Sequence, residues 1–366
     1  MAFGEFMTTA KNRDYSKWWQ EVGSFPWMFQ QPKPPIENEA ERPISTLENY
    51  ERCVRGQEPY WMPDYMGERD IIWPDAMEEH PVPEVDGFDW WGVEWKMEPN
   101  IGGMITKPGT RVIQDFANWK EEVPWPDLSV VDFETDGKKI QTVLDPARPH
   151  VYECVEGITE RLHEMMPFDE ALAMLYEEPE LMDEFFEKMC DYKIESCTKI
   201  FENYGRVDGV LYHDDWGTQR SGFYSNEMFR EQIMPATTRF LSFLKEQGKF
   251  IELHSCGKNI QYVPEMVEMG IDMWTPQYNN NDPYELYEKY GDVMTFCFWL
   301  VLDSNWSEDE TRAAVRKFVD DFGAKGRCMP WLMGDMVNPN PQVEAWARDE
   351  LYTYSLDYYN KLYGRA

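Results

Sequence analysis

From Asp208 to Tyr363 the chain alternates short apolar runs with helical segments, a rhythm that few folds can accommodate. The runs are DGVLYH (Asp208–His213), KFIELH (Lys249–His254), IDMWT (Ile271–Thr275), DVMTFCF (Asp292–Phe298) and RCMPWLM (Arg327–Met333). Between them, Ser225 has the chemistry of an N-cap and opens a helix carrying Met228, Phe229, Ile233, Phe240, Leu241 and Leu244 near helical spacing, until Gly248 stops it. Ile260–Met269, a short helix capped by Asp282 with Pro283 at its first position, Ser307–Gly323 and Pro341–Tyr363 complete the alternation. Such a pattern implies a parallel sheet, either doubly wound or closed into a barrel. No GxGxxG follows any of the runs, which removes the main sequence argument for an open dinucleotide-binding sheet. The expectation is a (β/α)8 TIM barrel, a fold whose single domain spans roughly 200 to 400 residues and so accommodates all 366.

The N-terminal half is less regular. Residues 1–45 carry Trp18, Trp19, Trp27 and the segment QQPKPPIENEAERP, whose prolines and charges resist helix and sheet alike, so they are expected to form an arm over the barrel or a partner. The barrel domain is expected over 46–366. LENYERCVRG reads as a helix ending at Gly56, and PYWMP as a first short strand. From Trp73 to about Asp145 the text is dense in Trp, Gly and Pro, including DWWGVEW, and predicts an inserted, partly β segment near the barrel mouth. HVYECVEG (His150–Gly157) has strand character, and Asp169–Tyr204 reads as two helices broken near Pro179.

Composition narrows the function classes. With 68 acidic against 35 basic residues the net charge is −33, so the surrounding field repels nucleic-acid backbones and anionic membranes. No apolar run approaches the roughly 20 residues needed to span a bilayer, and Met1–Lys11 lacks an apolar signal core, which points to the cytoplasm. Seven cysteines without regular spacing argue for reduced thiols rather than a disulfide framework.

In a TIM barrel the working face is formed by the C-terminal ends of the strands. Those ends read HDDWGTQ (His213–Gln219), HSCG (His254–Gly257), TPQ (Thr275–Gln277), Cys297 and Gly334-Asp335. His254 and Cys256, one residue apart, point the same way on an extended strand and offer an imidazole and a thiolate to a borderline-soft ion such as zinc. Taken alone, this spacing better suits a buried histidine beside an inert cysteine; its place on the working face favours the metal. Catalytic zinc usually takes three protein ligands. For the third, Cys297 ranks first and Asp335 second. Cys328 ranks last, because at ~3.3 Å per residue it lies roughly 15 Å below the mouth. Asp214 and Asp215 suit acid–base work or a helix cap, and since adjacent strand residues face opposite ways only one should enter the barrel, Asp215 being favoured. His80, His150 and His163 lack such company and read as structural or surface residues. Trp90, Trp91 and Trp95 read as packing.

With these residues in place, the stretch from about Thr46 to Gly364 resembles the uroporphyrinogen-decarboxylase superfamily. The resemblance is most specific over DGVLYHDDWGTQ, SNEMFREQIMPATTRFLSFLKEQGKFIELHSCG and MGIDMWTPQ; the N-terminal half matches loosely through ENYERCVRGQEPYWMP. It implies a (β/α)8 barrel, commonly a homodimer. The decarboxylases of that family bind an acidic tetrapyrrole through an arginine-bearing motif near the first strand, without metal. Here PYWMPDYMGERD places Asp64 and Glu68 there, which disfavours a highly anionic substrate. The zinc- and corrinoid-dependent methyltransferase branch carries HxC and a later Cys, of which HSCG supplies the first two; its usual last Cys is replaced by Gly334-Asp335. The resemblance therefore implies a zinc enzyme that passes a methyl group from a small molecule, such as an aromatic methyl ether, to the cobalt of a separate corrinoid (cobalamin) protein. The alternatives are a methylcobamide:thiol methyltransferase and a metal-free decarboxylase. In this reading His254, Cys256 and Cys297 hold zinc, Asp215 orients or protonates the departing oxygen, and His213 and Gln277 line the pocket.

Overall fold

The computed structural model describes residues 33, 35–36, 38–77, 79, 86–98, 103–277, 279–334 and 338–365. The proposed arm over 1–45 lies largely outside them, as do His80 and Asp335. Among the described residues ten strands form two sheets: β1 (Asp70–Ile72), β2 (Gly87–Phe88), β3 (Glu94–Glu98), β4 (Gly103–Thr106), β5 (His150–Cys154), β6 (Gly209–His213), β7 (Phe250–Ser255), β8 (Met273–Pro276), β9 (Thr295–Val301) and β10 (Cys328–Met333). Seven of them make one parallel sheet in the order β1-β5-β6-β7-β8-β9-β10, with helices between successive strands, a TIM-barrel-like α/β architecture.

Side-chain alternation separates the two faces of this sheet. Ile71, Val151, Leu211, Phe250, Met273, Cys297 and Met329 form an inner cluster with Tyr50, Cys53 and Val54 from the helix Thr46–Val54. That helix closes the N-terminal end of the barrel, where Thr295 Oγ1 at the start of β9 donates to Cys53 O at 2.8 Å. The intervening residues, among them Val210, Tyr212, Ile251, Leu253, Trp274, Phe296 and Phe298, pack outward against the helices.

The C-terminal half follows its sequence signals closely. Ser225 accepts from Met228 N–H, Asp282 from Tyr284 and Glu285 N–H, and Ser307 and Glu310 form a reciprocal capping box. Helices Phe168–Glu177 and Pro179–Asn203 break at Pro179. PYWMP differs from expectation: it forms no strand, and the first strand is Asp70–Ile72. Pro59 and Pro63 have no N–H for a ladder, and the groups between them are satisfied by side chains instead. Asn49 accepts from Tyr60 N–H at 2.7 Å and donates to Trp61 O at 2.9 Å, while Met62 N–H donates to Ser355 Oγ at 2.9 Å. One backbone bond, from Tyr65 N–H to Pro330 O at 3.1 Å, ties the stretch to β10.

The expected insertion is present as the antiparallel sheet β2-β3-β4. Its Trp91 and Trp95 are buried, and Trp91 meets Trp125 and Tyr192 edge-on at 5.4 and 4.7 Å, so this cluster is packing. Asp89, just after β2, reaches Arg161 in the helix Glu160–Met165, which follows the C-terminal end of β5. The insertion thus bears on the mouth side of the barrel.

Candidate metal centre

The parallel register puts His213 at the end of β6 directly beside His254 on β7, and His254 beside Thr275 on β8. The two imidazoles lie nearly parallel with centroids 4.7 Å apart. Donor atoms of His213, Asp215 and His254 all fall within 4.8 Å of one another. The Cys256 thiol lies 3.3 Å from His254 Nε2, and Cys256 N–H donates to Asp215 Oδ1 at 2.6 Å. Of the six residues expected at the site, His213, Asp215 and His254 therefore meet at one point on the rim, with the Cys256 thiol against His254.

Strand alternation sorts the aspartate pair. Asp214 points away from this point: it is fully buried and accepts from Thr159 Oγ1 at 2.7 Å, Tyr212 OH at 2.7 Å and Glu160 N–H at 2.8 Å, capping the helix that starts at Glu160. Asp215 faces the histidines.

The loop carrying Cys256 is staked by amides. Gly257 has φ 95°, a conformation that suits glycine, and a Cβ there would lie 2.2 Å from the Gly217 carbonyl. Asn259 donates to Ser255 Oγ and Cys256 O at 2.9 and 2.6 Å, and Asn281 donates to Gly257 O at 2.8 Å. Gln277 Oε1 accepts from Gly257 N–H at 2.8 Å and from Asn280 at 2.6 Å, so it positions the loop through the oxygen expected to line the pocket.

Cys297 is not gathered with this group. It sits inside the barrel, fully buried, where burial first and then the neighbouring Glu252 raise its thiol well above the ordinary value. Glu252 takes hydrogen bonds from Arg69, Tyr65 and, at 2.6 Å, Thr275. Cys328 lies lower, in contact with Cys53, whose thiol donates to Cys328 O at 3.6 Å. Extended geometry explains both placements: each cysteine precedes the end of its strand, β9 by four residues and β10 by five.

A group of acidic residues at the rim was not legible beforehand. Glu160 Oε2 lies 2.9 Å from His213 Nδ1, in hydrogen-bond contact across 53 residues of sequence. Glu156, Glu160 and Glu164 form a second close group, with Arg161 bound to Glu164. His163, expected at the surface or in a structural role, meets Phe168 and Phe223 edge-on at 4.9 and 5.7 Å and lies 3.3 Å from Tyr224 OH. Its signal is spatial only, since Phe223 comes from the loop beyond Asp215. His150 is structural as expected, its ring nitrogens meeting Arg206 O and Asp145 O.

Electrostatics make the site hospitable to a cation. Burial, with His213 beside it, lowers His254 to about 4, so its imidazole is neutral at neutral pH and its lone pair free for an ion. Burial and then Asp215 and Glu160 push the Cys256 thiol well above its ordinary range. Burial lifts Glu160 to about 8. Burial disfavours charge on His213 too, but Glu160, Asp215 and Glu156 outweigh it and raise its pKa, so the His213–Glu160 pair retains a proton at neutral pH. Imidazole, thiol and carboxylate donors converging where negative charge accumulates match zinc by donor type.

Fold and rim together define a TIM-barrel-like protein with a His, Asp and Cys cluster at the C-terminal ends of β6 and β7. Residues 92–296, more than half of the chain, match the uroporphyrinogen decarboxylase (URO-D) family, and the chain belongs to that family. A methyltransferase from Methanosarcina mazei has a similar structure, with a TM-score of 0.61 at 13% identity over 84% of this chain and 99% of that one. The comparison with curated proteins found no match. Among the described residues no helix is long and apolar enough to cross a membrane.

Proposed function

We propose that this protein is a zinc-dependent methyltransferase that moves a methyl group from a small methylated molecule, such as an aromatic methyl ether, to the corrinoid of a separate protein. The observation that carries the reading is the convergence of His213, Asp215, His254 and Cys256 at the rim of a URO-D family barrel. The likeness to a methyltransferase structure supports the same branch of the family.

His254, Cys256 and His213 are the residues that hold the metal in this proposal, three ligands leaving a position open as in catalytic zinc sites. The bound ion supplies Lewis-acid stabilisation of the negative charge that grows on the oxygen as its bond to the methyl carbon breaks. Asp215 accepts from the Cys256 backbone through Oδ1, and in this proposal its carboxylate would hold or deliver the proton that the departing oxygen takes up. Gln277, Asn259 and Asn281 keep the Cys256 loop in place, so the thiol stays aimed at His254.

A metal-free decarboxylase needs cationic side chains for an acidic substrate. The basic residue of the MGERD segment, Arg69, is buried and ion-paired with Glu252 inside the barrel, which speaks against that chemistry.

The test is a methyl-transfer assay with zinc-loaded protein, an aryl methyl ether and reduced free cobalamin, followed through the absorbance of methylcobalamin and release of the phenol. Formation of both, lost in His254→Ala and in Asp215→Asn, is the expected result. Turnover of an acidic tetrapyrrole by metal-free protein would overturn the proposal.

A further inference from the structure

We infer that Glu160 is a positioning residue for the metal centre: its carboxylate fixes His213 as the Nδ1–H tautomer and so aims His213 Nε2 as a metal ligand. This rests on the metal reading above and deepens it, because it assigns the nitrogen through which His213 binds the ion and makes the inserted sheet part of the site's support.

The geometry runs through a single helix. Glu160 opens the segment Glu160–Met165, and its backbone N–H is held by Asp214, which neighbours His213 on the same strand end. The Glu160 side chain then reaches His213 Nδ1 at 2.9 Å. An imidazole that donates from Nδ1 has only Nε2 left to offer a lone pair. His213 stacks on His254, and a ring donor of His213 lies within 4.8 Å of donors of Asp215 and His254, so with Nδ1 taken by Glu160 the nitrogen left to serve a shared ion is Nε2. A carboxylate on the distal nitrogen of a metal-ligating histidine is a recurrent means of fixing tautomer and ring orientation.

The next residue anchors the helix. Arg161 is fully buried and binds Glu164 of its own helix at 2.9 Å, Glu79 at 2.7 Å and Asp89 of the insertion at 2.8 Å. Asp89 also takes the Trp95 and Trp91 N–H groups at 2.9 Å each, which makes the insertion a rigid seat for Arg161. Support passes from the sheet β2-β3-β4 through Arg161 to Glu160 and His213.

The experiment uses full-length protein with zinc, and with cadmium as a spectroscopic probe. The chain has five histidines, few enough for each ring to be resolved by nitrogen NMR on histidine-labelled wild type. The expected spectrum shows His213 protonated at Nδ1 and coupled to cadmium through Nε2. Competition against a chelator should show a zinc affinity lower by roughly 10- to 100-fold in Glu160→Gln, largely restored in Glu160→Asp. Cadmium bound to His254 but absent from His213 overturns the inference together with His213 as a ligand, leaving a metal site on His254; cadmium bound through His213 Nδ1 overturns the inference and leaves the proposed ligand set standing. Unchanged zinc affinity in a folded Glu160→Gln does the same. Failure of wild type to bind either metal overturns the metal reading itself. The NMR measurement on wild type decides the matter even where a Glu160 variant does not fold.

Discussion

Replacing Arg161 by methionine removes one cation from among three buried carboxylates. Its guanidinium has no exposed area, and Asp89, Glu79 and Glu164 are themselves at most 9% exposed in their side chains. Breaking a buried ion pair by deleting one partner costs about 3–5 kcal/mol, because the other charge is left uncompensated. At ~2.1 cal/mol/K of unfolding entropy per residue, that loss lowers the Tm of a chain this long by about 4–7 °C. The variant also acquires a pH signature. Burial already raises Asp89 and Glu164 above their ordinary values although Arg161 opposes it, and without Arg161 both rise further. An acid whose pKa is higher in the folded than in the unfolded state takes up a proton on folding, so the deficit should be largest at neutral pH and shrink as pH falls toward 5. Differential scanning calorimetry of both proteins at several pH values reads this directly. A Tm within about 1 °C of wild type at pH 7, or a deficit that does not change with pH, would refute the reasoning.

Gly257→Ala forces a side chain onto the Gly217 carbonyl at a φ of 95°, a strain of about 1–3 kcal/mol that the Cys256 loop can relieve only by shifting; zinc titration should show weakened binding in a folded protein. Ser307→Ala deletes a capping box whose hydrogen bonds stay with Glu310 and Thr311 of its own helix, and should cost about 1 kcal/mol in urea unfolding, leaving metal affinity untouched. His163, held down to about 4 by burial, takes up its proton at a higher pH when unfolded than when folded. Stability should therefore fall as pH drops from about 6.5 toward 4, by at most about 3 kcal/mol before screening, and urea unfolding of His163→Phe should show a flatter profile over that window.

The C-terminal half of the barrel was legible because its signals are local. Ser225, Asp282 and Ser307 cap the helices that follow them, β6 and β10 fall within the apolar runs that announce them, and β7, β8 and β9 begin within theirs and end one to three residues beyond. HSCG could be placed on the rim for the same reason, and the alternation rule correctly sent Asp214 outward and Asp215 inward. Signals failed where the partner is remote in sequence. PYWMP looks like a strand until Asn49 and Ser355 claim its backbone, and β1, only three residues long, is too short for any periodicity to show. Cys297 is a chemically sound ligand, but four more residues of β9 follow it before the strand ends. Glu160 reaches His213 from a different βα connection, so no spacing rule could have joined them.

Metal analysis of the purified, fully reduced protein tests the central claim most directly. The proposed site requires about one zinc per chain in wild type, lost or much reduced in His254→Ala, Cys256→Ser and His213→Ala and kept in Cys297→Ala. Wild-type protein without metal, or zinc that survives these three changes and disappears with Cys297→Ala, would contradict it.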